Sequence, residues 1–330
     1  MKKTVFFLLL LAGSGFFPGL SAQTLKIYQI DVEQADAALI ITPNGKSLLI
    51  DSGTGGLSDR IEALFEQEEI SEIDAFVCTH YDTDHLGAID KLVKSGWQVH
   101  SAYDRGYKTG EYNSRKTSRE FKDYQKALGY RAERLDPGDV IDLDGQVIIT
   151  CIASGGRITG SGQAKRGDDE NDKSIALLIR YGDFLFFTGG DLAFDTEGKI
   201  AEHDLVTDVD VYKADHHGSA TSSDPDFMRD LNPSVILISN GSNKTYQHPR
   251  KVTLQRYETL PSAPIVLQTN KFIRERAQDT LAGNVPDQYI ADPETVDPDG
   301  TILVEVDLAL NQYVVKYRDR ELEFAVKERE

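Results

Sequence analysis

Cysteine is nearly absent: Cys78 and Cys151 are the only two in 330 residues. Both lie in apolar strand-like runs, Phe76-Val77-Cys78 and Val147 to Cys151. Two buried thiols are therefore the expected state, ahead of a disulfide. Positive charge is also short. Lys and Arg number 36 against 54 Asp and Glu, a net charge of −18. Such a surface repels polyanions at long range, which argues against a dedicated nucleic-acid-binding module. A polyanionic substrate would need a local basic patch or bound metal. Beyond the N-terminus there is no long apolar run, and no repeat recurs at a fixed period.

The N-terminal segment reads as a secretory signal over residues 1–22. Lys2 and Lys3 form the charged start, Val5–Ala12 the apolar stretch, and Ser21-Ala22 a small-residue cleavage site. The apolar stretch is too short to span a bilayer, so an uncleaved anchor is the weaker reading. No Cys follows it, which argues against a lipoprotein. Removing these residues takes two lysines and no acid, moving the charge from −18 to −20. The expected mature protein is soluble, without a transmembrane span, and periplasmic or secreted.

The chemistry begins at Ala75–Gly87. A short apolar run, read as a buried strand, ends in His80, Asp82, Asp84 and His85, an H-x-D-x-D-H pattern. Apolar residues at helical spacing follow, through Leu86, Ile89, Leu92 and Val93, giving one expected helix to Lys94. Imidazoles and carboxylates at a strand end suit Zn²⁺, Mn²⁺ or Fe²⁺. Two His and two Asp within six residues crowd one ion but suit two. A capping loop would need one Asp, not this cluster. Asp51, at the end of the strand Ser47–Ile50, is either a turn residue or a carboxylate hydrogen-bonding a ligand imidazole.

Two later strands end in the same way. Phe184–Thr188 closes on Gly189-Gly190-Asp191, where one carboxylate can bridge two ions. The strand Asp210–Ala214 runs into Asp215-His216-His217-Gly218, where one His reads as a ligand and the other as a substrate contact or proton donor. His248 follows another strand, as a late ligand, a substrate contact or an ordinary loop residue. From Tyr103 to Arg134, cations alternate with aromatics, among them Arg105, Lys108, Arg115, Lys116, Arg119, Tyr112, Phe121, Tyr124 and Tyr130. This stretch is either an anion-facing wall or a solvated helix over Ser118–Leu128. Ser154–Asp172 reads as a mobile loop, and Thr301–Val306 with Tyr313–Tyr317 as a terminal hairpin.

These motifs, with Asp31 to Ala37, Leu49 to Gly53, Asn171 to Ser174 and Ser239 to Pro249, resemble the metallo-β-lactamase fold superfamily. The likeness is greatest to the extracellular hydrolase domain of ComEC-type competence proteins, and runs from about Thr24 to Arg250. Phosphorylcholine esterases of teichoic acid look similar in the same motifs. The resemblance implies an α/β four-layer αββα sandwich with a C-terminal β-hairpin extension. The expected organisation is one hydrolase domain over 23–330, with an insertion at 103–134 and an extension over about 271–330. The resemblance also implies two divalent metal ions, Zn or Mn. His80 and Asp82 would serve the first, Asp84, His85 and His217 the second, with Asp191 bridging. Two departures stand out. Position 82 is Asp where the commoner loop has His, which favours Mn²⁺, and Asn171 stands near the place of an absent middle His.

The expected function is a secreted binuclear metal-dependent hydrolase, phosphodiesterase-like or nuclease-like, acting on an anionic substrate through a metal-bridging hydroxide. Asp84 and Asp191 would orient the nucleophile. Lys213, His216 or His248 would stabilise the developing oxyanion, and His216 or His248 would protonate the leaving group. Hydrolysis of a carbon ester, lactone or β-lactam is an alternative on the same site. A non-enzymatic envelope binding protein on the same scaffold is another.

Overall fold

Strands that alternate inward and outward need cover on both faces when both sides are apolar, and this chain provides two such sheets. The computed structural model describes residues 24–107, 118–129, 131–163, 169–242, 245–273, 281–293 and 299–329. The first sheet runs Arg320–Ala325, Gln312–Tyr317, Ile302–Asp307, Leu25–Gln29, Ala38–Ile41, Ser47–Ile50, Ile73–Val77, Val99–Asp104, Glu133–Arg134. The second runs Ser161–Gln163, Arg157–Ile158, Val147–Ser154, Ala176–Tyr181, Phe184–Thr188, Val211–Lys213, Val235–Ile238, Ile265–Asn270, Ile290–Asp292, and Val140–Asp142 pairs with Val147–Ser154.

The sheets pack face to face. Leu25, Ile27, Ile40, Leu48 and Val77 of the first share one buried cluster with Ile149, Leu177, Phe184, Phe186 and Val235 of the second. Each large side chain buried there contributes about 1.5–3 kcal/mol. On the outer face of the first sheet, Leu39, Leu49 and Phe76 meet helical Ile61, Phe65, Ile89 and Phe121. On the outer face of the second, Phe187, Tyr212 and Ile236 meet Ile200, Phe227, Met228 and Tyr257. The result is the αββα sandwich.

Helical crossovers make the central strands parallel. Ser47–Ile50 pairs in parallel with Ile73–Val77, and Phe184–Thr188 with Val211–Lys213 and then Val235–Ile238. Parallel strands bring their C-terminal ends to one edge, so Asp51, His80, Asp191, His217 and Ser239 all follow strands ending together. The two edges are tied by Ile175 N–H donating to Thr79 O at 2.9 Å and Ser239 Oγ donating to Ala35 O at 2.8 Å.

Several elements differ from expectation. The helix after the His/Asp loop is two pieces, Thr83–Leu86 and Ile89–Ser95. The break is where Gly87 N–H donates to Gly53 O and the Ser52 hydroxyl accepts the Ala88 and Ile89 N–H groups. Residues 154–163 form a short hairpin that extends the second sheet, so the expected mobile loop is strand there; 164–168 lie outside the described residues. The C-terminal hairpin carries a third strand, Arg320–Ala325, and joins the first sheet through Ile302–Asp307 paired with Leu25–Gln29.

The basic-aromatic stretch is mostly packing where it is described. Phe121, Tyr124 and Leu128 are buried against the first sheet's helices, so those aromatics face the core rather than a substrate. Arg119 pairs with Asp123, Arg134 with Asp136, and Arg105 with Glu170. Lys108, Tyr112, Arg115, Lys116 and Tyr130 lie outside the described residues, as do residues 1–22. No helix among the described residues is long and apolar enough to cross a membrane.

Candidate metal centre

The loop carrying His80 is held from below. Tyr81 is buried, meets the Phe121 ring at a tilt with centroids 4.9 Å apart, and lies 4.2 Å under the Arg105 guanidinium. Glu170 accepts both Arg105 and the Tyr81 N–H, at 2.6 and 3.1 Å. Asp51, at a left-handed φ of 56°, accepts the Thr79 N–H at 2.8 Å and the Thr79 hydroxyl at 2.7 Å. Gly190, also left-handed, precedes Asp191; a Cβ there would lie 2.8 Å from Thr79 Oγ1.

His216 and His217 both take left-handed backbone, φ 49° and 54°, and Gly218 continues it at 75°. Each non-glycine residue in that region costs about 1–2 kcal/mol. The turn is fastened by Asp215 Oδ1 accepting the Gly189 N–H and by His216 N–H donating to Gly190 O. Its effect is to turn both imidazoles toward Asp191.

Three histidines have one ring nitrogen committed to a protein oxygen. His85 Nδ1 meets Asp51 Oδ2 at 2.7 Å, and His217 Nδ1 meets Ser239 O at 2.9 Å. His80 Nδ1 lies 3.1 Å from Thr79 Oγ1, whose own proton goes to Asp51. That network assigns the Nδ1 proton in each ring and leaves Nε2 a lone pair. Nε2 of His80, His85 and His217, and Oδ1 of Asp191, are buried and make no hydrogen bond. Orphaned buried donors of this kind are costly without a ligand. The donor set is imidazole and carboxylate, which suits a divalent transition metal.

The distances agree. Ligand atoms of His80, His85 and Asp191 lie within 4.8 Å of one another, as do those of Asp84, His85 and His217. Asp191 Oδ1 is 3.2 Å from His85 Nε2 and 3.8 Å from His217 Nε2, and its Oδ2 is 3.6 Å from His216 Nε2. Asp84 lies 3.6 Å from His217 Nε2, and Asp82 3.7 Å from His80 Nε2. Burial raises the Asp84 and Asp191 carboxyls, but the surrounding histidines outweigh it and hold both well below the usual carboxylate range. Burial lowers His85, but Asp191 and Asp51 outweigh it and raise the group well above the usual imidazole value, so the centre attracts positive charge.

A cavity of about 250 Å³ opens on these groups. Asp82, Asp84, Asn171, Asp191, His216 and His217 line it, together with Gln34, Ser219, Thr245, Tyr246, His248 and Arg250. Asn171 sits with its amide 3.4 Å from His216 Nε2. His248 is buried, with its ring 5.3 Å from that of His216. Burial first, then the neighbouring His217, push His248 down to about 3, and burial lowers His216 as well. Both are neutral imidazoles at neutral pH, able to donate a hydrogen bond but not poised as acids. A larger cavity of about 360 Å³ lies away from this centre, beside Arg60 and Lys316, where no such donors converge among the described residues.

Lys213 stands elsewhere than the oxyanion reading requires. It is 1 % exposed, pairs with Asp36 on the loop between Leu25–Gln29 and Ala38–Ile41, and donates to Gly190 O at 3.1 Å. Burial lowers it, but Asp36, Asp191 and Asp215 outweigh that and keep the ammonium charged. It supports the Gly190 turn instead of facing the cavity. Cys78 and Cys151 are free buried thiols, both pushed up by burial. Sequence reasoning missed Thr79 and Ser239 O, which orient two rings, and Arg250. The only signal for Arg250 was a cation placed just past His248 in an acidic chain.

Residues 30–161 match the family model described as the metallo-beta-lactamase superfamily. This chain carries a metallo-β-lactamase superfamily domain. The domain is similar to ComE operon protein 3 of Bacillus subtilis (strain 168), 27 % identical over 76 % of this chain and 32 % of that protein. It is also similar to Recombination protein 2 of Haemophilus influenzae, 26 % identical over 75 % of this chain and 28 % of that protein. The chain thus spans less than a third of the length of either relative. Among solved structures, Igni18, a metallo hydrolase from Ignicoccus hospitalis, is 16 % identical over 76 % of this chain and 95 % of that one, with a TM-score of 0.44. Members of the metallo-β-lactamase superfamily use divalent metals, and this domain has candidate ligand clusters for them.

Proposed function

We propose that the chain is an exported, two-metal hydrolase of phosphodiesters. The observation that carries this is the convergence of four buried, unbonded donor atoms beside a polar cavity. His80 and Asp82 would hold one ion, Asp84, His85 and His217 the other, with Asp191 between. Ions held there would polarise a phosphoryl oxygen and lower the pKa of water towards neutrality. Asp84 and Asp191 accept hydrogen bonds from the nucleophile and orient it. His216 and His248, both neutral, donate hydrogen bonds to the phosphoryl or leaving oxygen. Among the described residues no aliphatic side chain lines the cavity, which favours a tetrahedral anion over the acyl chain of a carbon ester or lactone. Asp82 in place of a neutral donor favours Mn²⁺ over Zn²⁺. Residues 1–22 are read as the export signal, so the mature protein should begin at Gln23.

Purified mature protein loaded with Mn²⁺ or Zn²⁺ is expected to hydrolyse bis-p-nitrophenyl phosphate or single-stranded DNA. His85→Ala should lose more than about 100-fold of that activity, the upper end of what loss of a supporting partner alone costs. Turnover of a lactone or nitrocefin in place of either diester would move the assignment to carbon-ester or amide hydrolysis. Metal-loaded protein inert on all four, with Asp84→Ala keeping its full effect in cells, would leave the binding-scaffold reading instead.

A further inference from the structure

Arg250 follows His248-Pro249 and precedes the helix Lys251–Glu258. It lines the same cavity as three carboxylates, Asp82, Asp84 and Asp191. Its Nε is buried and makes no hydrogen bond. Among the described residues no carboxylate pairs with it. The other described arginines of similar burial are all partnered. Arg60 pairs with Asp31, Arg105 with Glu170, Arg157 with Asp136 and Arg329 with Asp210, while Arg256 donates to Ser222 O and Ala220 O. With 54 acids against 36 bases, an unpaired guanidinium in a cavity is unusual for this chain. Among the described residues it is also the only Lys or Arg that lines that cavity.

Its position is set by the site itself. The Arg250 N–H donates to Gly218 O at 2.9 Å, on the turn that aims His216 and His217. A Cβ on Gly218 would lie 2.8 Å from Pro249 Cβ, so the histidine turn and the Pro249-Arg250 segment are in close contact. The guanidinium is a planar fork whose geometry matches two oxygens of one phosphate. At about 250 Å³ the cavity is below the ~300–1,000 Å³ of clefts that enclose a whole drug-sized ligand, so it suits one tetrahedral anion and its nearest substituents.

We infer that Arg250 is the specificity-determining residue of this cavity: its guanidinium binds the anionic oxygens of a phosphodiester and selects charged tetrahedral substrates over neutral esters. This deepens the hydrolase reading above and rests on it for the substrate's reaction. Binding by Arg250 can be measured separately from turnover.

Two measurements on the Mn²⁺-loaded mature protein test it. The first is calorimetric binding of dimethyl phosphate. Arg250→Ala should weaken it by about 10- to 100-fold, the range for a lost charge-assisted hydrogen bond, and Arg250→Lys should recover part of the loss. Equal affinity in wild type and Arg250→Ala overturns the inference. The second is steady-state kinetics on bis-p-nitrophenyl phosphate and the neutral p-nitrophenyl acetate. In Arg250→Ala the diester KM should rise more than kcat falls, and the ratio of diester to neutral-ester kcat/KM should drop. An unchanged ratio overturns the inference. A wild type that hydrolyses no diester overturns the hydrolase reading, and the binding measurement then still decides the role of Arg250. Circular dichroism and thermal midpoints identify a variant that fails to fold, in which case Arg250→Lys and Arg250→Gln carry both comparisons.

Discussion

Each of the three orphaned imidazoles is oriented by a different acceptor: a hydroxyl for His80, a carboxylate for His85, a backbone carbonyl for His217. Asp51 matters most, because one of its oxygens takes both the His85 ring proton and the Thr79 hydroxyl. Asp51→Asn keeps the size but replaces a carboxylate oxygen with an amide donor or a weaker acceptor. Metal affinity should fall by about 10- to 100-fold, measured by titration calorimetry with Mn²⁺. Unchanged affinity would mean that packing alone holds the His85 ring. Asp51 was only half legible in the sequence, since a turn Asp looks the same. Thr79 and Ser239 were not legible at all, because a hydroxyl beside a metal loop and a main-chain carbonyl carry no residue-type signal. Lys213 was misplaced for a related reason. It shares the inner face of its strand with Val211, and only the opposing sheet reveals that Asp36 waits there.

At the scale of elements, the strands were the easier part to read. Short apolar runs bounded by Gly, Asp and Asn mark them, and Ser47–Ile50, Phe184–Thr188, Val211–Lys213, Ile302–Asp307 and Gln312–Tyr317 fall within or close to the expected spans. The helices covering the second sheet were not foreseen. Phe194–Glu202, Pro225–Leu231 and Lys251–Glu258 are seven to nine residues long, and the last buries only Thr253 and Tyr257. Two turns are too few for a periodic signal to stand out. The helix Ser58–Gln67 makes a testable junction at its C-terminal end. Glu68 accepts Lys26 Nζ and Tyr28 Oη, both at 2.6 Å, from the first strand. Burial raises the Glu68 carboxyl, but Lys26 and Tyr28 outweigh it and hold it below the ordinary glutamate value. A depressed carboxylate stabilises the fold above its unfolded pKa of about 4.3 and loses that contribution as pH falls through the folded value. The stability difference between wild type and Glu68→Gln, followed by urea unfolding, should therefore be present at pH 7 and shrink below about pH 4.3. A difference that stays constant from pH 7 to pH 3 would show that the carboxylate's charge is not what joins the helix to the strand.

For the whole molecule, the decisive contact is between the chain's two ends. Ile302–Asp307 pairs with Leu25–Gln29, and Ile302, Val304, Val306, Tyr313 and Val315 complete the core between the sheets. A chain ending at Gly300 would uncover Leu25 and Ile27 and should yield no cooperatively unfolding protein. One ending at Asp319 removes Arg320–Ala325, a largely exposed edge strand, and should still melt cooperatively at a lower midpoint. Differential scanning calorimetry of the two truncations checks this, and a cooperative melt from the shorter one would show that the C-terminal strands are an appendage. The sequence by itself determined the candidates: His and Asp clusters at three strand ends mark a candidate metal-ligand set, because the donor types and their place after apolar runs are local properties. Only the tertiary structure decided which of those groups meet, which nitrogen each ring presents, that Lys213 lies beneath the site and that Arg250 lines its cavity. Those facts depend on two sheets closing on one another, and the contacts that close them join residues hundreds of positions apart.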